Sequence, residues 1–262
     1  MIRLPFRQRR ELGQHFLTDQ NIVGVAGRLA ELSPRDVVLE VGPGLGVLTR
    51  FLAERVKFVH AIEIDWGLEP HLHDLLATTK NVNLVFDDAL SLSLAELDPP
   101  PNKFVANLPY NVATPLVVES LDGLPTVELW CVMVQREVAD RFFASPGTKS
   151  FGAVSVLVQL TSERVGFHSV SRTVFRPPPN VDSALVAFRR RRSWGPEFGR
   201  VKQVVQAAFA HRRKTLANSL TLTGLAARPD VVAALERLDR PPEVRAEVLA
   251  PEEFVALAEL LP

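Results

Sequence analysis

The turn Asn107-Leu108-Pro109-Tyr110, which follows the apolar residues Phe104-Val105-Ala106, combines residue types that suit a reaction at an aromatic amine. The lone pair of such an amine is delocalised into the ring, so the nitrogen is a poor nucleophile. The side-chain oxygen of Asn107 and the carbonyl of Leu108, held by Pro109, can accept both N–H bonds and make the nitrogen more nucleophilic. Tyr110 offers a flat face on which a base can stack. We therefore predict that these residues catalyse methyl transfer to an amino group of a planar base, most naturally N6 of adenine.

A glycine-rich loop, Gly42-Pro43-Gly44-Leu45-Gly46, lies upstream and follows the apolar run 37–41. Glycines allow the backbone to approach a ligand closely and to turn sharply into a helix. In the dinucleotide pattern the third glycine comes one residue later, so this spacing favours S-adenosylmethionine over NAD. Taken alone, the loop also fits a tight turn between a strand and a helix that binds nothing.

Acidic residues follow two further apolar runs of the chain. Glu63 lies about 20 residues beyond the glycine loop, where a carboxylate can accept from both hydroxyls of a ribose. Asp88 could accept a hydrogen bond from the amine of a cofactor adenine. Each has a plainer interpretation, as a solvated acid or as the cap of a turn, and Asp65 is an equally plausible solvated acid.

The elements that must position these residues are predicted from the hydrophobic pattern. Short apolar runs predict strands, and apolar residues at helical spacing predict helices between them. The strands are expected at 37–41, 58–62, 82–86, 104–106 and 129–134, and the helices at 20–32, 47–55, 67–78 and 113–121. This alternation predicts an α/β fold with a mostly parallel sheet, in which ligands lie beyond the carboxyl ends of the strands. The polar residues singled out above follow the predicted strands at those ends.

The pattern changes in the second half of the chain. Residues 163–188 predict a pair of strands around a stiff loop that contains three consecutive prolines at 177–179. From about residue 196 the pattern is helical only, with helices expected at 197–210, 212–221, 229–239 and 251–261. A small all-helical C-terminal domain is therefore predicted.

Composition and charge restrict the class of protein. The chain has 262 residues, no net charge and a single cysteine, Cys131. A single cysteine excludes an internal disulfide and fits a protein of the reducing cytoplasm. We interpret Cys131 as a core residue. No apolar run is long enough to span a membrane, and the six histidines form no metal-ligand pattern. Basic residues are clustered at 1–10 and 189–214, which would suit a polyanion, although solvated charge runs are also common.

Six motifs in this order resemble those of the small-subunit (16S) ribosomal RNA adenine N6,N6-dimethyltransferase family over almost the whole chain. The motifs are Leu12-Gly13-Gln14-His15-Phe16-Leu17, Val41 to Gly46, Asn107-Leu108-Pro109-Tyr110-Asn111, Val134-Gln135-Arg136-Glu137-Val138-Ala139, Phe175-x-Pro177-x-Pro179-x-Val181-Asp182-Ser183 and Ala208-Phe209-Ala210-His211-Arg212-Arg213-Lys214-Thr215-Leu216. The chain departs from the family pattern in His15, where Asn is more usual, and in Asp87, where Gly usually precedes the acid.

The resemblance implies a Rossmann-like methyltransferase domain over 1–192, with a cofactor and RNA segment at 1–18, and an RNA-binding helical domain over 193–262. It implies S-adenosylmethionine as the cofactor, without a metal, bound by His15, Leu17, Gly42, Gly44, Glu63, Asp88 and Asn107. The target adenine would leave its hairpin loop and stack on Tyr110, with Phe175 a candidate for the opposite face. Arg212, Arg213 and Lys214 are predicted to contact RNA phosphates.

The expected activity is dimethylation of two adjacent adenines near the 3′ end of small-subunit RNA, during biogenesis of the 30S subunit. The expected partner is the assembling 30S subunit, and a cytoplasmic monomer without membrane contact is predicted. Three alternatives remain open at this stage. They are a large-subunit methyltransferase of the macrolide-resistance type, a non-catalytic assembly or transcription factor on the same fold, and a DNA adenine methyltransferase.

Overall fold

The structure is a computed structural model that describes residues 14–262, so Leu12, Gly13 and the basic cluster at 1–10 lie outside the described residues. The strands are β1 (Phe16–Leu17), β2 (Val37–Val41), β3 (Phe58–Glu63), β4 (Val82–Phe86), β5 (Lys103–Asn107), β6 (Leu129–Gln135), β7 (Ser162–Val170), β8 (Phe175–Arg176) and β9 (Ser183–Arg190). The helices are α1 (Gln20–Leu29), α2 (Val47–Ala53), α3 (Glu69–Leu76), α4 (Ala113–Gly123), α5 (Arg136–Phe142), α6 (Ala153–Thr161), α7 (Glu197–Phe209), α8 (Leu216–Leu222), α9 (Arg228–Arg237) and α10 (Pro251–Leu260).

Seven strands within residues 14–262 form one sheet in the order β4-β3-β2-β5-β6-β9-β7. The first five strands in that order are parallel, and β9 pairs antiparallel with β6 from Leu129↔Arg189 to Gln135↔Ser183. Strand β2 is buried along its whole length, as expected for a strand that has parallel neighbours on both sides and is covered on both faces. The predicted α/β fold is confirmed.

The strand order reverses at β2, which has β3 on one side and β5 on the other. At such a switch point the connections leave in opposite directions, so a crevice opens beyond the carboxyl ends of the two strands. The glycine loop follows β2 and the Asn107 turn follows β5. The topology therefore brings these two sequence-distant segments to the two sides of one crevice.

A separate two-stranded ribbon was not predicted from the sequence. Strands β1 and β8 pair antiparallel, with Phe16 opposite Arg176 and Leu17 opposite Phe175. Each strand contributes only two residues, which is too short for an alternating pattern to be recognised. The pairing places the segment before α1 beside the proline-rich loop.

The chain divides into two compact units. The first contains the described residues up to Ala139 together with Arg164–Arg190, and the second contains Asp140–Glu163 and Arg191–Pro262. The second unit thus includes α6, which the sequence-based boundary between 192 and 193 left with the catalytic part. Seven of the nine residues of α6 are buried, and the helix packs against α7 and α10. Because so much of it is buried, its sequence does not indicate which of the two units it belongs to.

The core of the first unit surrounds the middle of the sheet. It contains Val38, Val59, Val105 and Leu185, and Cys131 is fully buried among them. Burial raises the pKa of the Cys131 thiol to about 12, so the thiol stays protonated at neutral pH. The interpretation of Cys131 as a core residue is confirmed.

Aromatic contacts in the second unit join α7 to α10 and to the residues before α6. The ring of Phe209 on α7 lies 6.0 Å from that of Phe151 and 5.7 Å from that of Phe254 on α10. The predicted helix at 212–221 begins later than expected, at Leu216, because the Thr215 hydroxyl accepts from the backbone N–H of Asn218 and caps the helix. Residues 211–214 form an exposed turn instead. No helix within residues 14–262 has both the length and the apolar character needed to cross a membrane.

Candidate active site

An open cavity lies at the switch point of the sheet, beyond the carboxyl ends of β2, β3 and β5. Nine of the residues predicted for the site line it. They are His15, Leu17, Gly42, Gly44, Glu63, Asn107, Leu108, Pro109 and Tyr110. The cavity thus joins the predicted cofactor segment to the predicted catalytic turn.

The glycine loop has little room for side chains. Gly42 has a φ of 75°, and a Cβ atom there would lie 3.3 Å from Cδ of Pro109. Gly44 has a φ of 57°, and its Cβ would lie 3.0 Å from the ring of Phe16. A left-handed backbone this close to its neighbours requires glycine. The loop therefore packs directly against the Asn107 turn, with its backbone facing the cavity.

Glu63 connects β3 to the glycine loop. One carboxylate oxygen accepts from the backbone N–H of Gly44 at 3.0 Å, and the other accepts from the N–H of Asp65 at 2.9 Å. The side chain is only 4% exposed, and burial raises the pKa of its carboxyl group even though these N–H groups act in the opposite direction. Each oxygen keeps a further lone pair that can accept from a ligand hydroxyl.

Asp65 is not the solvated acid that the sequence suggested. It is buried, one of its oxygens accepts from the side chain of Gln14 at 2.7 Å, and the other accepts from the backbone N–H of Gly67. The side chain therefore links the segment before β1 to the turn after β3. Local sequence gives no sign of this, because Gln14 is 51 residues away.

Glu40 is a cavity residue that the sequence reasoning did not single out. It is 1% exposed, and its Oε2 atom has no hydrogen-bond partner within residues 14–262. The pKa of Glu40 is raised to about 8, mainly by burial and also by the charge of Glu63. The nearby Thr49 hydroxyl lowers the pKa, although it is not placed to form a hydrogen bond with Glu40. The sequence does indicate this residue, because Glu40 is the one acid within an otherwise apolar strand. Burying a carboxyl group without a partner is costly, so such an acid is a candidate for binding a ligand.

The Asn107 turn is anchored by its backbone and oriented by one side-chain contact. The N–H of Leu108 donates to the carbonyl of Met133 on β6 at 3.0 Å. The Nδ2 atom of Asn107 donates to the backbone carbonyl of His15 at 3.3 Å. Because Nδ2 is committed to a carbonyl, Oδ1 is the atom left to accept from a ligand in the cavity.

His15 and Tyr110 form the wall of the cavity next to this turn. Nδ1 of His15 lies 3.0 Å from the carbonyl of Pro177, which can only accept, so Nδ1 carries the hydrogen. The two rings lie 5.5 Å apart and are tilted by 31°. Burial raises the pKa of the Tyr110 phenol above its ordinary value, so it is neutral at physiological pH.

Two of the residues predicted to contact the cofactor or the target base, Asp88 and Phe175, lie outside the cavity lining. Asp88 uses one carboxylate oxygen to accept from the N–H of Leu90 and so caps the turn after β4. Phe175 is 0% exposed, opposite Leu17 in the core of the first unit. In this conformation its ring has no face available to a base, because packing against the core covers it.

The predicted RNA-contacting residues belong to the second unit and differ from one another. The guanidinium of Arg212 donates to the carbonyl of Lys149 at 2.9 Å and to that of Phe151 at 3.3 Å. Arg213 and Lys214 are exposed on the turn before α8. Of the nearby basic run, Arg190 donates to the carbonyls that end α4 and its turn, at Leu121, Leu124 and Val127. Arg212 and Arg190 therefore stabilise the protein structure around them.

Fold and site together define a Rossmann-like methyltransferase, with the glycine loop and the Asn107 turn facing one cavity. The family model described as ribosomal RNA adenine dimethylase matches residues 5–259. The chain belongs to this family, and the predicted family and the predicted activity of a ribosomal RNA methyltransferase are confirmed.

Named relatives agree with the family match. A protein of Rubrobacter xylanophilus described as ribosomal RNA small subunit methyltransferase A is 47% identical over 251 residues, which cover 96% of this chain and 94% of the relative. A protein of Streptococcus sanguinis with the same description is 43% identical, covering 98% of this chain and 92% of that relative.

Two solved structures extend the similarity. A dimethyladenosine transferase from Plasmodium falciparum has 25% identity and a TM-score of 0.76, covering 93% of this chain and 96% of that one. The 23S rRNA methyltransferase ErmE has 31% identity and a TM-score of 0.64, covering 94% and 99%.

Proposed function

We propose that this chain transfers methyl groups from S-adenosylmethionine to N6 of two adjacent adenines in a hairpin loop of small-subunit ribosomal RNA. The observation that carries the proposal is that Asn107, Leu108 and Pro109 line one cavity with the glycine loop, and that the Nδ2 atom of Asn107 is bonded elsewhere and leaves Oδ1 to accept. The relatives described as small-subunit methyltransferases, at 43–47% identity, support the choice of RNA. The assembling small subunit is the proposed partner.

The residues of the cavity fit S-adenosylmethionine. The glycine loop offers close backbone approach at Gly42 and Gly44, and Glu63 has lone pairs left for ribose hydroxyls. The unpartnered Oε2 atom of Glu40 suits a cationic group, because a ligand ammonium would satisfy it. When bound, this cofactor supplies a methyl group on a positively charged sulfur, which is the electrophile of the reaction.

On the side of the target base, the chain acts mainly by positioning. Asn107 Oδ1 and the Leu108 carbonyl hold the two hydrogens of the adenine amine, which directs its lone pair and stabilises positive charge as it develops. Tyr110 holds the plane of the base. No side chain is needed as a general base, because the methylated amine is acidic enough to lose its proton to water.

Direct methylation of isolated substrates tests the proposal. Purified chain is incubated with methyl-labelled cofactor and either small subunits that lack the dimethyl marks, large subunits, or DNA. Label on two adjacent adenines of the small-subunit RNA is expected. Label on large-subunit RNA alone would favour the second candidate function, methylation of large-subunit RNA, which the similarity to ErmE supports. Binding without label on any substrate would favour an assembly factor.

Glu63→Ala should weaken cofactor binding more than it slows chemistry. We expect the dissociation constant of S-adenosylmethionine to rise by roughly 10- to 150-fold, because a charged hydrogen-bond acceptor contributes about 1.5–3 kcal/mol. The N–H of Gly44 also loses its partner, so a lower melting temperature should accompany the change. Calorimetry measures the affinity. Glu69→Ala, at a half-exposed acid on α3 that lies outside the cavity lining and 3.8 Å from His73, is the control. An unchanged affinity in Glu63→Ala would give Glu63 a structural role only.

For RNA binding, we propose that Arg213 and Lys214 contact phosphates, whereas Arg212 stabilises the second unit. The double substitution Arg213→Ala and Lys214→Ala should weaken RNA binding and reduce the slope of log affinity against log salt by roughly 1.4–1.8, the value for two lost contacts. Arg237→Ala, at another exposed arginine of the second unit, should leave the slope unchanged. Arg212→Ala should instead lower the melting temperature. A wild-type slope in the double variant would exclude this turn from the RNA contact.

A further inference from the structure

The hydroxyl of Tyr110 has a specific partner on a distant strand. Its Oη atom lies 2.6 Å from Oγ of Ser183, the first residue of β9, which follows Tyr110 by 73 residues. This distance falls at the short end of the normal range for O–H···O hydrogen bonds. Ser183 is 0% exposed, so its hydroxyl is enclosed by protein and does not exchange this partner readily for water.

Both ends of this hydrogen bond are anchored to β6. Asn107 is opposite Met133 in the β5–β6 pair, and the N–H of Leu108 donates to the Met133 carbonyl. Ser183 is opposite Gln135 in the β6–β9 pair. The Tyr110 side chain therefore reaches across the carboxyl end of β6, from the turn after β5 to the beginning of β9. Holding Oη restricts rotation about the Cα–Cβ bond of Tyr110. Because the O–H bond and the accepting lone pair of a phenol both lie in the plane of its ring, the hydrogen bond also favours the rotation about Cβ–Cγ that keeps Ser183 Oγ near the ring plane.

We propose that Ser183 is a positioning residue that fixes the plane of the Tyr110 ring and, through it, the plane of the target base. This inference rests on the proposed function, because Tyr110 must face a base for its plane to matter. The carbonyl of Pro177, in the proline-rich loop that leads into β9, holds the His15 ring that neighbours Tyr110. The proline-rich loop and β9 thus orient the His15 and Tyr110 rings. Neither Pro177 nor Ser183 contacts the substrate in this proposal.

The fixed plane matters because the amine must lie in the plane of its acceptors. If the Tyr110 ring turns, a base stacked on it turns as well, and its two N–H bonds leave the directions of Asn107 Oδ1 and the Leu108 carbonyl. A misalignment of this kind slows the transfer step and leaves stacking and cofactor binding almost intact. Loss of the Ser183 hydroxyl should therefore reduce kcat more than it raises KM.

The test compares Ser183→Ala, Tyr110→Phe and the double variant in methylation of small subunits. We expect each single variant to lower kcat by about tenfold, with the cofactor dissociation constant unchanged. The double variant should be no slower than either single variant, because both remove the same hydrogen bond. Ser120→Ala is the matched control, since it removes a buried hydroxyl that accepts from the indole of Trp130 at 2.8 Å and that is not part of the cavity lining. It should alter the melting temperature and leave kcat unchanged.

The single tyrosine of this chain supplies a readout that is independent of activity. In protein labelled with 13C at the Cζ atom of tyrosine, the one resonance should shift in Ser183→Ala and stay in place in Ser120→Ala. A wild-type kcat in Ser183→Ala, or independent losses that multiply in the double variant, would overturn the proposal. An unshifted resonance would show that the hydrogen bond does not form. If the wild-type chain labels no adenine, the proposed function fails, and the resonance still reports on the hydrogen bond.

Discussion

In Asn107→Ala, methyl transfer is expected to be slower by about 10²-fold or more in a single turnover, while cofactor binding weakens much less. Oδ1 is the part of Asn107 left to accept from the adenine amine, since Nδ2 donates to the carbonyl of His15. An acceptor that acts on charge developing in the transition state contributes to the rate and little to ground-state binding. Rapid-quench measurement with saturating cofactor and RNA gives the rate of the chemical step.

The control for this substitution is Asn21→Ala, which removes an exposed amide from the first turn of α1. It should keep the wild-type rate. Asn107→Ala also loses the contact with His15, so its melting temperature and cofactor affinity are measured on the same preparation. A single-turnover rate close to that of the wild type, in folded protein, would remove Asn107 from the catalytic role.

The largest expected change in stability comes from Lys103→Met. The ammonium group of Lys103 is buried, lies 2.9 Å from a carboxylate oxygen of Asp36, and donates to the carbonyls of Ala30 and Glu31. The other oxygen of Asp36 accepts from the side chain of Asn102. Removing one partner of a buried ion pair leaves the other charge uncompensated, which costs about 3–5 kcal/mol. Urea unfolding at neutral pH measures this loss.

The pH dependence of this loss follows from Asp36. Burial alone would raise the pKa of Asp36, but the hydrogen bonds from Lys103 and Asn102 outweigh burial and lower the pKa below its ordinary value of 3.8. Ionised Asp36 therefore stabilises the wild type fully above pH 3.8, and this stabilisation is lost as the pH falls below that value. Without Lys103, its hydrogen bond and its charge no longer lower the pKa of Asp36, so this pKa is higher in the variant than in the wild type and the variant loses less stability on acidification. The difference between the two proteins should shrink towards acid pH. Lys57→Met, at an exposed lysine, is the control, and a pH-independent difference would exclude Asp36 as its source.

Most strands of the sheet, and nine residues of the cavity lining, were predicted from the sequence. The predicted runs at 37–41 and 82–86 have the bounds that the structure gives, although β2 is buried along its whole length and β4, at the edge of the sheet, is only partly buried. In a parallel sheet the residues after successive strands meet at one edge, so chain order alone placed Gly42, Glu63 and Asn107 together.

Contacts between distant residues were decided only by the tertiary structure, because no local period records them. Whether Phe175 is a stacking surface or a core residue depends on its pairing with Leu17, and this pairing joins two strands of two residues each. Likewise, Tyr110 is oriented by a serine 73 residues away, and His15 by a carbonyl 162 residues away. The sequence determined which residues carry the chemistry, whereas packing across the sheet determined how their side chains are held, because orientation depends on neighbours that only folding brings into contact.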